Sequence, residues 1–248
     1  MAMITVALYN VKGGVGKTAG CVNLAYLAAE QGHKVLVWDL DPQGSATFYF
    51  QQAPKLKGGF KKLLQAEAEL KDTIFETGWP NLDLIPADFS NRNLDVVLDG
   101  IKQGKRKFKA LIGQLEGVYD YLFMDCPPGI GALSEAVFAA SDYVVLPTIP
   151  TTLSLRTYEM VKQFFVENGL DESRIRCYFS MVDIRKNLHN DTLAQFYRNK
   201  QFLKNYIPYL SIIEKMGSQL APVGVYAPSS YAAQCFKDVW KELKKSFS

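Results

Sequence analysis

Clustered cysteine is what the sequence most plainly lacks. Cys21, Cys126, Cys177 and Cys235 are scattered, with no Cys-x-x-Cys pair and no Cys/His group. A reduced chain without structural zinc or an iron–sulfur centre follows. Histidine is scarcer still, His33 and His189 being the two present, so His-rich metal chemistry is not expected. No segment approaches the ~20 apolar residues that a membrane-spanning helix needs. The opening MAMITVALYN has no charged leader and no cleavage site, so it reads as structure and not as a signal peptide. Low-complexity tracts are missing as well. Charge of one sign hardly predominates: the net charge of +3 is too small to imply nucleic-acid binding by itself.

What is present is ordinary globular composition, 48% apolar and 21% charged over 248 residues. A chain of that length buries a substantial core, and one domain spanning 1–248 is expected. The basic residues are unevenly placed. Between Arg174 and Lys215 eight Lys or Arg stand against three Asp or Glu, and Lys102 to Lys109 holds five basic residues and no acid. Such runs are either a solvated face or a footprint for phosphates.

Residues 3–9 (MITVALY) read as a strand that enters a glycine-rich loop. TAGCVNLAYLAAEQGH then reads as a buried helix stopped at Gly32, and KVLVWDL as a second strand. Helical patterns (FKKLLQAEAEL, NRNLDVVLDGI) and the short strand LDLIPA occupy roughly 58–115. Two buried strands follow, YDYLFMDCPP and DYVVLPTIP, with the helix ALSEAVFAAS between them. RCYFSMVD is a further strand, and DTLAQFYRNKQFL and YAAQCFKDVWKELKKSF are amphipathic helices. Apolar strands alternating with helices predict an α/β fold, a mainly parallel twisted sheet with helices on both faces. Ligands of such sheets sit at the carboxyl ends of the strands, where the motifs fall.

YNVKGGVGKTAG (9–20) ends in the Gly-Lys-Thr of a phosphate loop, but Val11 stands where the strict pattern wants its first glycine, and a second lysine, Lys12, follows it. Gly13, Gly14 and Gly16 let backbone N–H groups converge on an anion, and the helix beginning near Lys17 adds its positive end. Lys17 is placed for the β and γ phosphates, and the Thr18 hydroxyl for Mg²⁺. Phosphoryl chemistry also needs carboxylates to hold metal and position water. Asp39 and Asp41 stand at the exit of the second strand, and Asp125 at the end of YLFMD.

KGGVGKT, DLDPQGSAT and YDYLFMDCPP together resemble the ParA/MinD family of deviant Walker ATPases, in particular its ParA (Soj-like) partitioning branch. NLDLIPA, ASDYVVLPTIPTTLSL, SMVDIRKNL and APVGVYAPSSYAAQCFKDVWKEL extend the resemblance over almost the whole chain. It implies a P-loop NTPase of the deviant Walker type that uses ATP and Mg²⁺ and closes into a homodimer around nucleotide. Lys12 would reach the phosphates held by the other copy, as an arginine finger does. Asp41 would orient the attacking water, Asp39 would support the Mg²⁺ shell and Asp125 would hold Mg²⁺ through water. The resemblance implies nucleotide contacts from Lys12, Gly13, Gly14, Val15, Gly16, Lys17, Thr18 and Ala19, with adenine near Ser180 to Asp183 and Pro208. Stretches 41–47 and 126–131 would be switches that read the γ-phosphate. Relatives usually carry a second hydroxyl after Gly-Lys-Thr to help bind the α-phosphate. Ala19 stands there, followed by Gly20, and the loss of one hydrogen bond corresponds to about 0.5–1.5 kcal/mol.

The resemblance further implies a slow ATPase stimulated by a ParB-like adaptor, non-specific double-stranded DNA as a partner, and a cytoplasmic, nucleoid-associated protein. It places a plasmid, a chromosome or a protein body among the cargoes. Arg185 matches a DNA-contacting arginine, and Lys186, Lys204 and Lys215, with Arg198 and Lys200, are basic neighbours in sequence. Tyr209 and Ile212 occupy the positions of two other arginines of the family. No N-terminal operator-binding domain is expected, since the first strand begins at residue 3. Two alternatives stand beside this reading. A MinD-like membrane ATPase would use the apolar stripe Phe236, Val239, Trp240, Leu243 and Phe247, but that stripe is expected to pack on the sheet. A small-molecule P-loop enzyme would turn over rapidly with a metabolite. The aromatic run 48–50 (FYF) is expected in the core.

Overall fold

The computed structural model describes residues 2–53, 59–88 and 92–247. Its sheet comprises β1 (Ile4–Leu8), β2 (Val35–Asp39), β3 (Phe75–Glu76), β4 (Leu82–Ile85), β5 (Tyr121–Asp125), β6 (Tyr143–Thr148) and β7 (Ile175–Phe179). The spatial order is β3-β4-β2-β5-β1-β6-β7, and every neighbouring pair is parallel except the edge pair β3–β4. The helices are α1 (Lys17–Glu30), α2 (Ser45–Tyr49), α3 (Gly59–Leu64), α4 (Leu94–Gly100), α5 (Gly104–Gly113), α6 (Ala132–Ala140), α7 (Thr152–Glu167) and α8 (Asn187–Phe196). Three one-turn helices, α9 (Ser211–Glu214), α10 (Met216–Gln219) and α11 (Val223–Tyr226), precede α12 (Tyr231–Lys245).

Strands such as VLVWD are apolar at nearly every position because both faces of the sheet are covered. Side chains alternate between the faces. Leu36, Trp38, Leu122 and Met124 join one core with Phe60, Leu98, Phe108 and Phe165. Val35, Val37, Tyr121 and Phe123 join the other with α1 and α12. The predicted mainly parallel sheet with helices on both faces is the observed architecture.

Several local expectations are corrected. The FKKLLQAEAEL helix stops at Leu64, where Ala66 adopts a φ of 59° and a 3₁₀ turn over Leu70–Thr73 follows. The DTLAQFYRNKQFL helix stops at Phe196. The chain then runs beside the edge strand β7, with Cys177 N donating to Gln201 O at 2.7 Å and Leu203 N to Cys177 O at 2.8 Å. Edge backbone groups need partners, and that need outweighs helix continuation here. The basic run 102–109 belongs mostly to α5, whose Phe108, Leu111 and Ile112 are buried while its charged residues face solvent. In the run 48–50, Phe50 is buried and Tyr49 packs half-buried against the core, but Phe48 is 53% exposed, so core packing accounts for two rings and not the third.

The apolar stripe of α12 is occupied. Phe236, Val239, Trp240 and Leu243 are all buried, and Trp240 lies 5.5 Å from Tyr121 and 6.0 Å from Phe123, ring centre to ring centre. Ser230 caps the helix by accepting from Ala233 N. Among the described residues no helix is long and apolar enough to cross a membrane.

Candidate functional site

β1 delivers the chain to the loop 9–16 at the middle of the sheet, between β5 and β6. Gly14 and Gly16 hold φ values of 71° and 89°, which L side chains adopt only under strain. Gly16 is the N-cap of α1, and that helix has no side-chain cap and no acidic residue in its first turn. Its first N–H groups and positive end are therefore left to a ligand, and an anion suits them. Gly13 and Gly14 are exposed, Val15 is buried, and Gly16, Thr18 and Ala19 are half-buried.

The two lysines of the loop differ. Lys17 is buried, and its Nζ donates to the Lys12 carbonyl at 3.0 Å. Burial lowers its pKa, while Asp125 and Asp41 oppose that shift. Lys12 is half-buried and makes no ion pair among the described residues. Its backbone is fixed: Lys12 N donates to Asn10 Oδ1 at 3.0 Å, and Asn10 Nδ2 donates to Pro147 O at 2.9 Å. Asn10 thus ties the head of the loop to the end of β6, a role that its sequence position alone did not signal.

The carboxylates collect beside the loop. Asp39 and Asp125 are register partners at the ends of β2 and β5, both fully buried. Asp39 Oδ2 accepts from Thr47 N at 2.8 Å and from Thr47 Oγ1 at 2.7 Å, and Asp39 Oδ1 accepts from Asp41 N at 3.2 Å. Burial nevertheless pushes its pKa up to about 6. Asp125 is in a harsher position. Among the described residues neither of its oxygens meets a partner at hydrogen-bond geometry, and burial, reinforced by the charge of Asp39, raises its pKa well above the usual carboxylate range. The Thr18 hydroxyl and Lys17 are near enough to oppose that rise without cancelling it.

A buried carboxylate with both oxygens unpartnered, beside a hydroxyl at the start of the loop helix, suits a hydrated divalent cation. No group of three or more His, Cys, Asp or Glu among the described residues would hold a metal alone. In Mg²⁺ sites that serve a nucleotide, phosphate oxygens and water supply most of the shell. Asp41 is half-buried, and its Oδ1 accepts from Gln43 N at 2.9 Å.

Beyond the loop lies a pocket with about 440 Å³ of empty space, lined by Gly16, Ala19, Tyr178, Ser180, Met181 and Pro208 among others. The predicted adenine neighbours Ser180 and Pro208 therefore stand in one concavity with the loop. Ser180 Oγ also donates to Val15 O at 2.8 Å, joining β7 to the loop.

The basic set is less united. Arg185, Lys186, Lys204 and Lys215 are all exposed. Arg185 forks onto Asp183, Nε to Oδ1 at 2.8 Å and Nη2 to Oδ2 at 2.9 Å. Lys204 Nζ lies over the Tyr197 ring at 5.1 Å. Tyr209 donates its hydroxyl to Glu214 at 2.8 Å, and Ile212 packs on the core.

The family model described as an AAA domain matches residues 3–168. The sporulation initiation inhibitor protein Soj of Bacillus subtilis is 30% identical over 249 residues, covering 96% of this chain and 97% of that protein. This chain belongs to the ParA/MinD family of deviant Walker ATPases. The backbone agrees: a plasmid partition protein of Borrelia burgdorferi bound to AMPPNP superposes with a TM-score of 0.87 at 21% identity, covering 98% of this chain and 99% of that one. A cobyrinic acid a,c-diamide synthase from Mycobacterium smegmatis, with bound ATP analogue and magnesium, superposes at 0.83 with 24% identity, covering 99% and 96%. At those identities the structural likeness speaks for the fold alone. ATP and Mg²⁺ are the cofactors of this ATPase family.

Thr47 lies in the 41–47 stretch singled out in the sequence, but its bond to Asp39 is not read there, and neither is the place of Tyr178 on the pocket wall. Thr47 had a signal, a hydroxyl residue inside the DPQGSAT stretch after Asp41. Tyr178 had none, lying within an apolar strand.

Proposed function

We propose that the chain is a ParA-like partitioning ATPase, one P-loop domain over 1–248, that dimerises on ATP and binds duplex DNA without sequence preference. A ParB-like adaptor on a cargo triggers hydrolysis and local release, and the protein is cytoplasmic and nucleoid-associated. The observation that carries this reading is the pair of loop lysines: Lys17 is turned into its own loop, while Lys12 stands on a fixed backbone with no acidic partner among the described residues. A cation held that way is suited to the triphosphate of a second copy.

In this reading Gly13 to Ala19 present backbone N–H groups to the phosphates, and Lys17 exchanges the Lys12 carbonyl for phosphate oxygens. Thr18 and, through water, Asp125 would hold Mg²⁺, with Asp39 supporting the shell, and the ion would supply positive charge to the phosphates. Asp41 orients the attacking water. Lys12 of each copy meets the charge developing on the other copy's γ-phosphate. Asp39 grips Thr47, and the Thr47 hydroxyl accepts from Ala87 N at 2.8 Å, so a change at Asp41 has a rigid path to β4. Arg185, Lys186, Lys204 and Lys215 form the DNA-facing set.

The test is light scattering with Mg²⁺ and a non-hydrolysable ATP analogue, followed by retention of plain duplex at low salt. A dimer that holds duplex is expected. A chain that stays monomeric at high concentration refutes the proposal, and a dimer that ignores duplex refutes the DNA part.

A further inference from the structure

The hydroxyl of Tyr178 occupies a gap that the sequence of the loop helix leaves open. A Cβ placed on Gly20 would collide with the Tyr178 oxygen and lie 3.4 Å from its Cζ. Any side chain at position 20 is thereby excluded while Tyr178 stays where it is. The ring itself is buried to 1% exposure in the core beneath α1. Its oxygen reaches the second turn of that helix beside Ala19, and Tyr178, Ala19, Gly20 and Gly16 share the wall of the pocket that continues from the phosphate loop. The hydroxyl makes no hydrogen bond to the described residues, and its oxygen is not among the sealed unpartnered polar atoms of the core, so it is free to donate into the pocket that Tyr178 lines. Burial, with Cys21 and Asp125 nearby, raises its pKa, so it remains a protonated donor at every working pH.

We infer that Tyr178 is a nucleotide-binding residue whose hydroxyl donates to an anionic oxygen of the nucleotide next to Ala19, replacing the hydroxyl that Ala19 does not carry. This inference rests on the proposed nucleotide site. The three residues form one substitution set: Ala19 and Gly20 remove side chains from the helix, and Tyr178 brings a donor back from the sheet side. The nucleotide oxygen in turn supplies the partner that the phenol lacks. Ala19 therefore does not by itself weaken nucleotide binding.

The experiment is calorimetric titration of ATP with Mg²⁺ into the full chain and into Tyr178→Phe, Ala19→Ser, the Tyr178→Phe/Ala19→Ser double variant and Lys17→Ala. Tyr178→Phe should raise Kd about tenfold, as expected for a lost bond to a charged group, with the melting temperature of the nucleotide-free protein unchanged. Adding Ala19→Ser should recover most of that affinity, because a serine hydroxyl replaces the lost donor from the helix side. Should Tyr178→Phe lower the nucleotide-free melting temperature, the double variant decides: recovery supports a donor role and no recovery overturns it. If Tyr178→Phe binds within twofold of the parent while Lys17→Ala loses ATP, the role of Tyr178 is wrong and the loop stands. If Lys17→Ala binds ATP like the parent, the nucleotide site itself is misplaced and the inference falls with it.

Discussion

Asp39 and Asp125 are register partners on adjacent parallel strands, and both are completely buried. One is well bonded through Thr47, whereas neither oxygen of the other meets a partner at full hydrogen-bond geometry among the described residues. Two carboxylates that close together favour keeping a proton unless a cation arrives. The site is thus built for the loaded state and is electrostatically unfavourable when empty.

The pH dependence follows. Burial raises the Asp39 pKa from 3.8 to about 6, and burial together with the charge of Asp39 raises that of Asp125 as well. The folded chain therefore holds protons that the unfolded chain has already released. Its stability without nucleotide falls as pH rises from about 4 through 6, with no contribution from Asp39 regained above that. Two pKa units correspond to about 3 kcal/mol as an order of magnitude. Asp125→Asn should stabilise the nucleotide-free chain by about 1–3 kcal/mol at pH 7.5, or ~2–4 °C per kcal/mol. It should also flatten the pH profile and abolish the extra stabilisation by ATP with Mg²⁺. Thermal melts from pH 4 to 8, with and without ATP and Mg²⁺, parent against variant, measure all three.

Lys12→Ala should bind ATP nearly as the parent does, because the Lys12 group that engages Lys17 is the backbone carbonyl. Partner-stimulated turnover should fall by about 10³-fold or more, the scale of an arginine finger. Single-turnover hydrolysis beside an equilibrium binding curve separates the two effects. Full stimulated turnover in the variant would remove the role in trans.

Much of this arrangement was legible in the chain. Gly13, Gly14, Gly16, Lys17 and Thr18 could be read directly because a tight anion-binding turn allows few residues. Asp39 and Asp125 stood out as acids ending apolar strands. Thr47 fell within the 41–47 stretch, but its grip on Asp39 and the place of Tyr178 were not legible, because both come from contacts across the fold: Thr47 meets Asp39 eight residues away, and Tyr178 meets Gly20 across the core. The lengths of α3 and α8 were misjudged for a related reason. Amphipathic periodicity continues past Leu64 and Phe196, but the chain leaves the helix at both points, and after Phe196 it turns to pair the free edge of β7. The Asp183–Arg185 fork was equally invisible, since two residues at i and i+2 in a loop carry no periodic signal.

That fork bears on DNA. Arg185 holds the Asp183 pKa down to about 2, so the carboxylate stays ionised across working pH and competes with phosphate for the guanidinium. Asp183→Asn should strengthen duplex binding about two- to fivefold by releasing that competition. Arg185→Ala should weaken binding and reduce the dependence of log K on log salt by ~1 per protomer. Duplex retention measured from low to moderate salt checks both. An Arg185→Ala slope equal to the parent's would show that Arg185 meets no phosphate.

The last helix distinguishes a core element from a membrane seat. Trp240 is 1% exposed, rests on Tyr121 and Phe123 and also touches Phe247 at 6.1 Å between ring centres. Its Nε1 is buried without a partner, so its value lies in ring packing and not in a hydrogen bond. Trp240→Ala should cost about 3–5 kcal/mol in urea denaturation. Trp240→Phe keeps a ring and discards the unpartnered N–H, so it should cost less than about 1.5 kcal/mol. The parent should not sediment with anionic vesicles, with or without ATP. A helix that instead served a bilayer would give the opposite pair of results: Trp240→Ala would leave the unfolding midpoint where it was and abolish vesicle binding, because a ring reserved for lipid contributes nothing to the folded core.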